Sequence, residues 1–184
     1  IEAARARFRR TGLADTTLEM VAKDAAISRP NLYRFFRNKT ELVTAVLVAE
    51  SRAINEQRAR KVRRKKQFSE KVVRAFETTV EAMHTNAFWA EIIAPENVPH
   101  TAYVAWSEPD VIAVTEAFWL PILEVGAASG QLRADVEPAE CLPWLLGLEF
   151  MFMERTEIFP NVDDVARYVR LFVLPSLTRS AAET

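Results

Sequence analysis

The chain has 184 residues, 49% of them apolar and 27% charged, with a formal net charge of −1 and a single cysteine. That length allows one ordinary domain or two small ones around a buried core, while the lone Cys141 excludes an internal disulfide and suits a reducing cytosol. The near-zero total hides a divided molecule: residues 1–66 hold 17 Lys and Arg against 7 Asp and Glu, a balance of +10, and residues 67–184 hold 7 against 18, a balance of −11. A basic module attracts phosphate without regard to sequence, and an acidic remainder stays off a duplex. Four glycines and no sustained apolar/polar alternation predict an all-α chain.

Ile1 to Arg10 already read as helix, which leaves room for a basic arm upstream. Thr16 and Thr17 are both candidate N-caps, and Thr16-x-x-Glu19 has capping-box spacing, so a short helix through Leu18, Val21, Ala22 and Ala25 is predicted. Ala25-Ala26-Ile27-Ser28 follows, with Ile27 as an apolar plug and Ser28 as the cap of the next helix. Pro30 sits in that helix's first turn, where its missing N–H leaves no bond unmade. Leu32, Phe35 and Phe36 are assigned its buried side; Arg29, Asn31, Tyr33 and Arg34 face outward. Such a surface suits DNA: hydroxyls and Arg bond phosphate oxygens, Arg pairs with guanine, Asn with adenine, and a proline ring can lie on a thymine methyl. Asn38-x-x-Glu41 caps a third helix, placing Lys39 at an N-terminus suited to phosphate.

The stretch from Thr16 to Leu42, TTLEMVAKDAAISRPNLYRFFRNKTEL, resembles the DNA-binding domain of the TetR family of transcriptional regulators. The spacing TT-x(4)-A-x(4)-IS-x(3)-LYRFF-x(2)-K-x-EL carries the resemblance, together with Ala3, Ala4, Phe8 and Gly12 upstream. It implies a helix-turn-helix at about residues 17–36 in which Thr17, Ser28, Arg29, Pro30, Asn31, Tyr33, Arg34 and Lys39 face DNA. Three positions depart from the family pattern: Ala26 stands where glycine usually makes the turn, Pro30 where a small residue is frequent, and Thr40 where Glu is common. Ala26 in a left-handed conformation costs of order 1 kcal/mol.

A long helix from about Asn38 ends in the basic run Arg58 to Lys66. That run is either a second phosphate contact or, as charge runs usually are, hydrated surface. Phe68 to Thr85 reads as a helix with Val72, Val73, Phe76, Val80 and Met83 on its apolar side, followed by a shorter one around Ala87 to Ala94. Pro95, Pro99 and Pro109 predict an irregular connection, and Val111 to Ser129 a helix kinked at Pro121 and ended by Gly130. Helices from Pro138 to Arg155 and from Asn161 to Thr178 close the chain, with Asn161-x-x-Asp164 capping the last. Pro143 inside the penultimate helix has no explanation in the sequence. No membrane-spanning segment is expected, since the most apolar run, Cys141 to Met153, is too short and contains Glu149.

The helix containing Leu142 to Met153 is apolar almost all round, and Val162, Val165, Val169, Phe172 and Val173 recur at helical spacing on its neighbour. A homodimer interface through Leu145, Leu148, Phe152, Val165, Val169 and Phe172 is expected, in agreement with the four-helix interface that the resemblance implies. Burial wholly within one subunit is the other reading. Fourteen of eighteen aromatic residues fall after residue 66. A pocket for a small hydrophobic effector is expected from Phe88, Trp89, Ile92, Tyr103, Trp106, Phe118, Trp119 and Ile122, with Tyr103, His100, Glu91 and Glu149 as candidate polar anchors.

An enzyme finds no support. His84 and His100 lie on different elements, Cys141 sits in an apolar helix, and no metal-ligand spacing occurs, so no metal or cofactor is expected. The sequence therefore predicts a cytoplasmic, all-α protein of about nine helices. A helix-turn-helix domain at residues 1–45 precedes a ligand-binding and dimerisation domain at 46–184. The expected function is a repressor released from a palindromic operator by a small hydrophobic effector; a DNA-binding dimer without an effector is the alternative.

Overall fold

The structure, a computed structural model, describes residues 1–92, 97, 104 and 107–178. Among these residues all regular secondary structure is helical, apart from one isolated bridge between Leu132 and Thr178. The head contains α1 (Glu2–Thr11), α2 (Leu18–Asp24) and α3 (Arg29–Phe35), and α4 (Lys39–Arg63) runs out of it as a long rod. The body follows with α5 (Phe68–Thr85), α6 (Ala87–Ile92), α7 (Pro109–Ala128) and α8 (Leu142–Glu154). Its last rod begins as α9 (Val162–Tyr168), widens through a π-helical turn (Val169–Val173) and ends as α10 (Leu174–Leu177).

The caps act where short polar side chains permit them. Thr17 accepts from the Met20 amide at 3.3 Å, Ser28 from Asn31 at 3.3 Å, Asn38 from Glu41 at 2.9 Å and Asn161 from Asp164 at 3.0 Å. Thr16 does not form the expected capping box. It is buried, its hydroxyl donates to the Gly12 carbonyl at 2.7 Å, and Glu19 turns to α3 instead. Ala26 adopts φ 54, the left-handed geometry that its place in the turn requires. Pro143 is explained by the element before it. Pro138–Cys141 forms a 3₁₀ turn, the α-helix begins only at Leu142, and Pro143 therefore lies in a first turn where no N–H is needed.

Two apolar clusters hold the chain together. One packs Phe68, Phe76, Trp119, Leu123, Leu145, Phe152, Val165 and Val169 in the middle of the body, with the Phe76 and Trp119 rings 4.9 Å apart. Gly126 lets α7 approach the Phe68 ring, which a Cβ at that position would meet at 2.6 Å. The other cluster fills the head with Ala4, Phe8, Val21, Leu32 and Val46, and is completed from the body by Phe88, Ile92, Val104 and Val111. The expected boundary at 45/46 falls inside α4, which packs along both α5 and α7. By length and composition α7 could cross a membrane, contrary to the expectation that no such helix exists; here it is a core helix, burying Val111, Val114, Phe118, Trp119, Ile122 and Leu123.

Candidate DNA interface and ligand cavity

The outward face of α3 and its surroundings gather the residues expected to meet DNA. Thr17, Ser28, Arg29, Pro30, Tyr33 and Arg34 are exposed, and Asn31 is half-buried. Phe35 departs from expectation. It is 70% exposed, and the inner side of α3 is carried by Leu32, with Phe36 packed on the rim of the head core.

The face is tied down by one carboxylate. Glu19, on α2, pairs with Arg29 and accepts from the Tyr33 hydroxyl at 3.1 Å. Its own backbone amide, the Tyr33 hydroxyl and the Arg29 charge hold its carboxyl below the usual carboxylate range, so it stays ionised near neutral pH. Asp24 likewise binds Arg7 at 2.5 Å and Arg10 at 3.0 Å, bracing α2 on α1. Lys39 donates to the Ala14 carbonyl at 2.7 Å, which fixes the loop before α2, and partial burial lowers its pKa. Arg37 is the freer cation at this end of α4, paired with Glu41 at 2.6 Å and largely exposed.

A cavity opens between α4, α5, α6, α7 and α8. It holds about 80 Å³ of free space, and its mouth brings the whole to about 700 Å³. Ile54, Met83, Trp89, Leu146, Phe150 and Met153 are among its apolar walls. A buried polar network closes one side. Arg58 pairs with Glu149, donates through Nη1 to Asn55 at 2.7 Å and through Nη2 to Thr79 at 2.6 Å, and lies 3.9 Å over the Phe118 ring. Thr79 in turn donates to Glu149 Oε1 at 2.8 Å, and Asn55 to the Val114 carbonyl at 3.2 Å. The two charged side chains are only 8% and 7% exposed, and each supplies the other's countercharge.

This cavity is not where the aromatic clustering put it. Of the residues expected to line a pocket, Trp89 does so; Phe88 and Ile92 fill the head core, and Phe118, Trp119 and Ile122 the body core. Tyr103, Trp106 and the candidate anchor His100 lie outside the described residues, as does the side chain of Glu91. Glu149 is in the cavity, and its arginine comes from the same chain. Arg58 was missed as a site residue, because the basic run from Arg58 to Lys66 looks hydrated. Its signal was the helical phase shared with Leu47, Ser51, Ile54 and Val62, which aims it inward.

The expected dimer residues divide as well. Leu145, Phe152, Val165 and Val169 are fully buried in the subunit core and cannot meet a partner, whereas Leu148 is half-buried and Phe172 is 58% exposed. Trp144, Leu171 and Phe172 are the large apolar side chains that α8 and the last rod leave outside. Burial of the thiol in apolar surroundings pushes the Cys141 pKa up, the reverse of what a nucleophile needs. Among the described residues no group of side chains could hold a metal.

Residues 1–46 match the family described as bacterial regulatory proteins, tetR family. That match spans α1, α2, α3 and the first turns of α4. A TetR-family transcriptional regulator from Pectobacterium atrosepticum superimposes with a TM-score of 0.72 at 16% identity, covering 97% of this chain and 92% of that one. The fatty acid degradation regulator FadR from Bacillus halodurans gives 0.67 at 12% identity, with 97% and 94% covered. The ketosteroid regulator KstR2 of Mycobacterium tuberculosis gives 0.56 at 20% identity, with 97% and 93% covered. No curated protein matches this chain in sequence. The tetR-family sequence match is therefore confined to the head, while the whole chain shares the fold of these solved regulators.

Proposed function

We propose that this chain is a cytoplasmic, homodimeric repressor whose head, residues 1–45, binds a palindromic operator and whose body, residues 46–184, binds a small apolar effector that releases it. One observation carries the reading: α4 both begins at the DNA-facing Lys39 and contributes Leu47, Ser51, Ile54, Asn55 and Arg58 to the cavity wall. A molecule that prefers one setting of that rod prefers one setting of the head. The presence of the cavity favours an effector over a purely architectural dimer. Exposed Trp144, Leu171 and Phe172, with half-buried Leu148, form the apolar face on which a second copy would pack.

Within the head, Tyr33, Arg34 and Ser28 serve phosphates, with Thr17 and Lys39 beside them, while Arg29, Asn31 and Pro30 read bases. Selection from random duplexes tests this. It should return a two-fold symmetric sequence whose half-sites lie about a whole number of 10-base-pair turns apart. Asn31→Ala should relax one base position by about 1 to 3 kcal/mol, and Tyr33→Ala should weaken all sequences alike. Unsymmetrical selected sites, or equal losses from both variants on every operator, would overturn the assignment.

A further inference from the structure

We infer that the cavity takes a compact, uncharged molecule with an apolar body and a hydroxyl group that donates a hydrogen bond to Glu149; this rests on the effector reading above. Glu149 Oε1 is occupied, accepting from both Arg58 and Thr79. Its second oxygen makes no hydrogen bond among the described residues, although Glu149 is 6% exposed and lines the cavity. That oxygen keeps spare lone pairs and is not itself sealed from solvent, so a ligand that takes the place of solvent beside it must supply a donor.

The polar groups around it exclude the charged alternatives. Arg58 bonds Asn55, Thr78, Thr79, the Ala75 carbonyl and Glu149, and the last of these neutralises its charge. An anionic ligand would face the free Glu149 oxygen and an arginine whose charge that carboxylate already neutralises. A cationic one would meet the Arg58 guanidinium, which shares the same carboxylate. The ion pair is already neutral, so an added charge enters a largely apolar space without a partner. A hydroxyl satisfies the free oxygen and leaves the network intact. The remaining wall, with Ile54, Met83, Leu146, Phe150 and Met153, takes hydrocarbon.

Four matched probes test this on the unmodified protein: cyclohexanol, its methyl ether, cyclohexylamine and cyclohexanecarboxylate, titrated by saturation-transfer NMR. Cyclohexanol should bind about tenfold or more tightly than the ether, which keeps the oxygen and loses the donor, because a hydrogen bond to a charged acceptor is worth that much. The amine and the carboxylate should bind more weakly than the alcohol. Ala82→Met, which fills the cavity from α5, should abolish the alcohol's binding and so locate it. An ether that binds as well as the alcohol, or a charged probe that binds better, overturns the donor assignment and leaves the effector reading standing. If none of the four binds up to its solubility limit, both fall.

Discussion

Replacing Glu149 by leucine strands the Arg58 guanidinium in a site where its side chain is 8% exposed. Bonds to Asn55, Thr78, Thr79 and the Ala75 carbonyl remain, but they are dipoles, and none supplies a countercharge. Breaking a buried pair in this way costs about 3 to 5 kcal/mol. A chain of this size has about 5 to 15 kcal/mol in all, so the loss is roughly a fifth or more of its stability and lowers Tm by roughly 6 to 20 °C. Removing both charges behaves differently. The double variant Arg58→Met, Glu149→Leu leaves no ion to solvate, and its stability should lie within about 1 to 2 kcal/mol of the parent or above it. Urea unfolding followed by far-UV circular dichroism measures both, at one fixed protein concentration because association adds to apparent stability. A Glu149→Leu loss below about 1 kcal/mol would show that water reaches the pair. A double variant as unstable as the single would show that packing, not charge, is at stake.

Phe172→Asp puts a charge on a residue that is 58% exposed in the subunit, so the variant should fold and sediment as a monomer, whereas Leu145→Asp buries a charge in the core and should not fold. A dimeric Phe172→Asp protein would move the interface elsewhere. Glu19→Gln removes a negative charge from the face proposed to meet DNA, and should raise affinity for all DNA sequences, read from titrations at one fixed salt concentration. Since the Glu19 carboxyl titrates below its unfolded value, its contribution to the head is complete above the ordinary carboxylate range and is lost as pH falls through the lowered pKa. An unchanged affinity of Glu19→Gln for every duplex would mean that this face does not meet DNA.

The head was legible in the sequence because its elements are set by local chemistry. Thr17, Ser28 and Asn38 cap as single side chains, and Leu18, Val21 and Leu32 turn inward at helical spacing. The helix Phe68–Thr85 was legible for the same reason, its apolar residues falling on one side. Phe35 was not. An aromatic residue next to Phe36 looks buried, yet α3 ends at Phe35 and it is Phe36, in extended backbone just after it, that packs on the head core. Nor was the split of the last helices between core and surface, because a helix that is apolar all round has no periodicity to mark its inner face. Leu145 and Trp144 are neighbours in such a run, one fully buried and the other 40% exposed. The cavity escaped because aromatic density marks where a core is full, and the cavity lies where α4 presents Ser51 and Asn55 to its neighbours.

The geometry of α4 gives the two ends of the molecule a common part. Arg58 binds it to α5 through Thr78 and Thr79 and to α8 through Glu149, while Val46 and Leu47 anchor its other end in the head core. That core is completed by Phe88 and Ile92 from α6 and by Val111 from α7, and α6 and α7 also supply Trp89, Val111 and Thr115 to the cavity wall. Val111 belongs to both lists. The head is therefore packed against the elements that a ligand would touch, and displacing α6 or α7 by even a fraction of an ångström must be absorbed in a close-packed cluster that contains Phe8 and Val46. Close packing resists gradual deformation and favours a shift of the head between discrete positions. For a repressor, a coupling of about 1 to 3 kcal/mol through such a contact suffices to loosen its operator 5- to 150-fold.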